Sequence, residues 1–257
     1  MAGGGAFRTR FHGAGVRGGG VLLAVLLAAG CSSGSSGSPP WAPGGGKPAA
    51  GPVPTEVFAP SELEDALLTP EDLGSGWSVD PYPDDDDNDD AAGEMLLNQC
   101  RPLRDMARSG ADFMDDSGPD TETRLIAPGR LHDDDAPYDL DVSIFQDDKS
   151  SIDQQMTLLR RMFAECRSMH MDDDGVRINV KLRDATKGNL GDKTVTGMLT
   201  ASAMGLQSTL KITTVSIGNT VVQVAGSPNL VDRYAARAVE KARTTLTSSS
   251  GASPSTT

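Results

Sequence analysis

The sequence predicts an α+β fold, a single domain with an antiparallel sheet of five to six strands packed by helices. Three observations predict it. Tyr138, Leu140, Val142 and Ile144 alternate with Asp139, Asp141 and Ser143, the period of a strand with one covered face. The segments 151–169 and 228–246 carry apolar residues at helical spacing. Tight turns separate the later strands, above all Gly218-Asn219, and turns this short join antiparallel neighbours.

The elements follow in chain order. Ser61-Glu62-Leu63-Glu64 reads as a capping box opening a short helix through Leu68. Thr69-Pro70-Glu71-Asp72 repeats the start signal, with a cap, a proline at the first helical position and acids in the first turn. Gly74-Ser75-Gly76 ends that turn, and Trp77-Ser78-Val79 starts a strand. The spacing of Met95, Leu96, Gln99, Leu103 and Met106 predicts a helix over 93–107, bent at Pro102. Strands are expected at 121–127 and 138–144, with Phe145 on the outer face. The helix at 151–169 turns Ile152, Met156, Leu159, Met162, Phe163 and Cys166 to one side. Val176, Ile178, Val180 and Leu182 alternate with Arg177, Asn179, Lys181 and Arg183, a half-exposed strand. Strands at 194–204, 208–217 and 220–225 follow, and Val221-Val222 points to a central one covered on both faces. Ser227-Pro228 caps the last helix. Its apolar stripe is Val231, Tyr234, Ala235, Ala238, Ala242 and Leu246, and its polar face holds Arg233, Arg237 and Lys241.

The N-terminal region has a different character. Residues 1–20 contain Arg8, Arg10 and Arg17 and no acid, and the apolar run 21–29 ends at Ala28-Ala29-Gly30-Cys31. Nine residues are too few to cross a hydrocarbon core, which takes about 20. The pattern resembles a bacterial lipoprotein signal, with 1–30 as the signal peptide and Cys31 as the lipidated residue. The place three before the cysteine, usually Leu in that family, is Ala28. The resemblance implies a palmitate-bearing chain held on the extracellular face of the cell membrane. Residues 31–60, rich in Gly, Ser and Pro, then form a tether with a span of roughly 30 Å. The folded domain is expected at 61–246 and a disordered tail at 247–257.

Charge excludes one class of partner. The chain has 23 basic and 36 acidic residues, and without 1–30 it has 20 against 36. Such a chain repels phosphate backbones, so no nucleic acid is expected as a partner. The acids cluster at 84–90, 133–135 and 172–174, runs that normally lie in solvated loops. If Cys31 carries lipid, Cys100 and Cys166 remain, and an even pair in an exported chain predicts one disulfide.

Several pieces together resemble the PknH-like extracellular sensor domain. They are Leu67-Leu68-Thr69-Pro70-Glu71-Asp72-Leu73, Cys100 after a loop, and Val142-Ser143-Ile144-Phe145 leading to a helix that ends Phe163-Ala164-Glu165-Cys166. The Gly218-Asn219 hairpin and the closing helix complete the set. The resemblance covers about 63–246 and implies helices on an antiparallel sheet with a ligand-binding cleft. Kinase-linked members have a second bridge, which a single cysteine pair does not supply. The Mog1/PsbP-like sandwich is a second fold with the same layers.

No catalytic constellation stands out. His132 and His170 each precede an aspartate run, but neither has the paired spacing of a zinc site. The run 84–90 lacks the sixth-position glycine and twelfth-position glutamate of a calcium loop. No Gly-x-Ser-x-Gly elbow is present. The expectation is therefore not an enzyme, with no cofactor and no bound metal. It is a lipid-anchored extracytoplasmic lipoprotein, a non-enzymatic ligand-binding or sensor-like module whose partners are the membrane and an envelope ligand or protein. A protein-binding scaffold without a small ligand is the alternative, and a hydrolase the third reading.

Overall fold

The fold is given by a computed structural model, which describes residues 57–79, 96–108, 121–128, 139–173 and 176–250. The segments expected as signal peptide (1–30) and, for the most part, tether (31–60), with Cys31, lie outside the described residues, as do His132 and the acidic runs 84–90 and 133–135. Among the described residues, no helix is long and apolar enough to cross a membrane.

The elements are α1 (Pro60–Ala66), α2 (Pro70–Leu73), β1 (Ser78–Val79), α3 (Arg101–Arg108), β2 (Thr121–Ile126), β3 (Leu140–Gln146), α4 (Lys149–Glu165), β4 (Ser168–Asp173), β5 (Val176–Asp184), β6 (Lys193–Ala203), β7 (Leu206–Ile217), β8 (Thr220–Gly226) and α5 (Pro228–Ser250). The class is α+β, but the sheet has eight strands in the order β1-β2-β3-β8-β7-β6-β5-β4, not five to six. Every neighbouring pair is antiparallel.

The strand missed in the sequence is β4. Its Met169 and Met171 extend the helical pattern of the preceding segment, and its aspartates read as a loop. Instead α4 stops at Glu165, with Cys166 as its C-cap, and β4 alternates buried Met169 and Met171 with His170 and Asp172. At its start, Asp148 caps α4 by accepting from the Ser150 and Ser151 N–H groups at 2.8 and 3.1 Å.

Helices cover opposite faces of the sheet at opposite ends. α4 lies over β5, β6 and β7, with α3 packed against it, and there Phe145, Met156, Phe163, Val180, Leu199 and Val221 form one core. α5, α1 and α2 lie on the other face over β3, β8 and β7, where Leu63, Leu140, Val142, Val222, Val224 and Leu246 form the second. β8 sits between the two cores, so adjacent Val221 and Val222 are both buried, on opposite sides. Trp77 meets Tyr234 of α5 edge-on, with ring centroids 5.5 Å apart.

Three boundaries differ from the sequence reading. α1 begins at Pro60 rather than after Ser61, because Glu62, not Glu64, turns back to accept the Ala59 N–H at 2.8 Å. The helix expected over 93–107 is helical at 96–99 and again in α3, interrupted at Cys100 before Pro102. α5 runs through Ser250, beyond the tail boundary at 247, with Ser248 Oγ donating to the Thr244 carbonyl at 2.8 Å. Residues 251–257 lie outside the described set.

Candidate functional site

Cys100 and Cys166 are joined as a disulfide with their Cα atoms 5.4 Å apart. The bridge ties the residue before α3 to the cap of α4, and both cysteines are buried. Next to it, the side chain of Gln99 lies along the outer edge of β4. Gln99 Oε1 accepts the His170 N–H at 2.9 Å and Nε2 donates to the His170 carbonyl at 2.5 Å.

Immediately after the bridge, the chain builds a groove. β4 pairs with β5 only as far as Ser168 opposite Lys181, which leaves the last residues of β5 at the edge of the sheet. One bond from the Leu182 N–H to the Arg167 carbonyl, at 3.3 Å, closes the gap. Around this edge lies a groove of about 620 Å³ lined by Phe163, Ala164, Arg167, Lys181, Leu182, Arg183, Asp184, Met198 and Thr200. Phe163 and Leu182 come from the α4 side. Lys181 and Arg183 stand on the other face, opposite Thr200 and Met198 of β6.

The electrostatics of the groove differ from those of its surroundings. Nearby cations are paired: Arg161 with Glu165 at 3.0 Å, Arg177 with Asp172 at 3.5 Å and Lys193 with Asp153 at 2.9 Å. Arg167, Lys181 and Arg183 form no ion pair among the described residues. Arg183 Nη2 rests 2.9 Å from Met198 Sδ, a weak acceptor. Arg167 Nε reaches the Ala164 carbonyl at 3.5 Å. The one carboxylate in the lining, Asp184, accepts from the Thr186 N–H at 2.9 Å.

A second polar cluster lies on β2 and β3, on the face away from α5. Arg124 stands opposite Asp141 in the register, and Glu122 opposite Ser143. Arg124 Nε is 3.3 Å from Glu122 Oε1 and 4.0 Å from Asp141 Oδ2, and Ser143 Oγ donates to Asp141 Oδ1 at 2.7 Å. Burial and the neighbouring Asp141 carboxylate push Glu122 up to about 9. Burial raises Asp141 too, against the opposing bonds from Glu122 and Ser143 and the charge of Arg124. Arg124 is the cation placed beside both carboxyls. The alternation at 138–144 implied a solvent-facing polar side for β3; instead Asp141 and Ser143 are buried, because β3 is flanked by β2 and β8 inside the sheet.

The other sequence candidates do not converge. His170 lies on β4 with its backbone engaged by Gln99, and Asp172 pairs with Arg177. Among the described residues, no group of three or more His, Cys, Asp or Glu is placed to hold a metal ion. The polar face of α5 is divided. Lys241 bonds to Asp72 of α2 at 2.5 Å, and the Arg233 guanidinium lies 5.9 Å from the centre of the Tyr234 ring. The groove cations were missed as a set, since Lys181 and Arg183 read as the solvated side of a strand and Arg167 as a helix end.

The chain matches no protein-family model and no curated protein. Among solved structures it is similar to the extracellular domain of PknH from Mycobacterium tuberculosis, at 14% identity and a TM-score of 0.43, over 74% of this chain and 100% of that one.

Proposed function

We propose that this chain is a lipid-anchored extracytoplasmic module of the cell envelope that binds a ligand in the groove and catalyses no reaction. The observation that carries the reading is the groove's charge. In a chain with 36 acids and 23 bases, Arg167, Lys181 and Arg183 have abundant potential partners, yet none forms an ion pair with them among the described residues. Cations left open on an acidic surface favour a negatively charged visitor. The apolar run ending at Cys31 and the Gly/Ser/Pro-rich tether support attachment to a membrane from outside. The disulfide suits an oxidising compartment.

Two measurements test it. Labelling cells with a radioactive or clickable fatty acid should mark the chain and leave a Cys31→Ser form unmarked; a variant that stays labelled removes the anchor. A thermal-shift panel of acidic envelope lipids and glycans should raise the melting temperature of the chain but not of an Arg183→Gln form. A panel that moves neither form refutes the binding role.

A protein-contact reading has its own support. The turn between β6 and β7 exposes Met204 by 80% and Leu206 by 60%. A photo-crosslinker at Met204 should capture one discrete envelope protein in cells, and recovery of the uncrosslinked chain alone would dismiss this reading.

A further inference from the structure

We propose that the groove takes an acidic amphiphile, with a phosphate head among Arg167, Lys181 and Arg183 and an apolar chain along Met198 and the methylene stems of Lys181 and Arg183. The inference rests on the groove being the ligand site and adds the class of ligand.

The head follows from the donors. Lys181 and Arg183 are two residues apart on β5, so their side chains leave the same face with about 6.6 Å between Cα atoms. That spacing lets an ammonium and a guanidinium approach one tetrahedral anion from two sides. Arg167 arrives from the turn after α4 with its terminal nitrogens unengaged among the described residues. Arg183 spends an N–H on the thioether of Met198, and a phosphate oxygen is a far stronger acceptor. Two planar guanidinium forks and an ammonium match the several oxygens of a phosphate better than the two of a carboxylate.

The tail follows from the remaining lining. Met198 is half-buried and stands on the same face as Lys181 and Arg183, so its thioether and their methylene stems form the apolar part of that wall. A bare oxyanion leaves that wall wet. A wholly apolar ligand desolvates three cations against one carboxylate, which is costly. A volume of about 620 Å³ falls in the range of small-molecule sites and exceeds what an isolated ion fills.

The test is calorimetric titration of the full chain carrying Cys31→Ser with three soluble probes: dihexanoyl phosphatidic acid, dihexanoyl phosphatidylcholine and inorganic phosphate. The acid should bind at least tenfold more tightly than the other two. Lys181→Gln and Arg183→Gln, exposed positions whose melting temperatures should stay at the parent value, should each weaken it about tenfold. Equal binding of inorganic phosphate overturns the tail, and equal binding of phosphatidylcholine overturns the head. If the acid does not bind, the proposal fails; a groove-dependent thermal shift with some other envelope component would then leave the broader binding role standing, and no shift with any component would end both.

Discussion

The ring of Phe163 rests directly on the backbone of Gly197, and a Cβ added at Gly197 would overlap its edge carbons. This contact sets how closely α4 approaches β6, and it forms one wall of the groove. Gly197→Ala should therefore lower stability by overpacking, by about 1–3 kcal/mol or more. For a domain of this size that corresponds to a fall of about 2–4 °C per kcal/mol in the melting temperature. An unchanged melting curve would show that α4 can move away at no cost.

Asp72 joins the N-terminal helices to α5 through Lys241 and also accepts the Thr69 N–H at 2.9 Å. Partial burial raises its pKa, but Lys241 and Thr69 together outweigh that and hold it below the usual carboxylate value. A depressed folded-state pKa stabilises above the unfolded value of 3.8 and is lost as pH falls through the folded one. Asp72→Asn should cost about 0.5–1 kcal/mol at pH 7, as expected for a partly exposed pair, and almost nothing near pH 2. Urea titrations of both forms at the two pH values check it.

Glu122 has the opposite sign. Its folded-state pKa of about 9 lies above the ordinary value of 4.5, so the folded chain holds a proton that the unfolded chain releases between those values. Its contribution to stability is therefore complete below pH 4.5 and declines as pH rises towards 9. Glu122→Gln mimics the protonated form and should flatten the dependence of stability on pH between 5 and 9. A slope as steep as the parent's would place the proton elsewhere.

Removing the bridge should cost more than any of these. Closing a separation of 66 residues is worth about 4 kcal/mol in the chain-entropy account, and measured losses run at about 2–5 kcal/mol. Cys166→Ser should lower the denaturant midpoint accordingly. The unfolded, unreduced parent should yield no free thiol from Cys100 or Cys166.

Much of this was legible in the residues, for reasons that are local. Leu140, Val142 and Ile144 all reach the α5 core, as their period of two requires, and the stripe from Val231 to Leu246 is buried. Gly218, with φ of 65°, makes the tight turn that its pairing with Asn219 signalled. Local patterns failed where position in the sheet decides the outcome. Asp141 looks like the wet side of a strand until β2 and β8 flank it. Met169 and Met171 suit a helix as well as a strand, and only pairing with Val180 and Ile178 selects the strand. Arg167, Lys181 and Arg183 become neighbours only once α4 has turned back onto β5, which no periodicity records.

One amide side chain has a consequence beyond its own two bonds. By presenting a donor and an acceptor to His170, Gln99 imitates a segment of the strand that would otherwise be free to add beside β4. A foreign peptide seeking to extend the sheet there must first evict that amide, and the covalent tie at the adjacent Cys100 holds it at its post. Two copies that meet in solution are thus kept from zipping together at this rim.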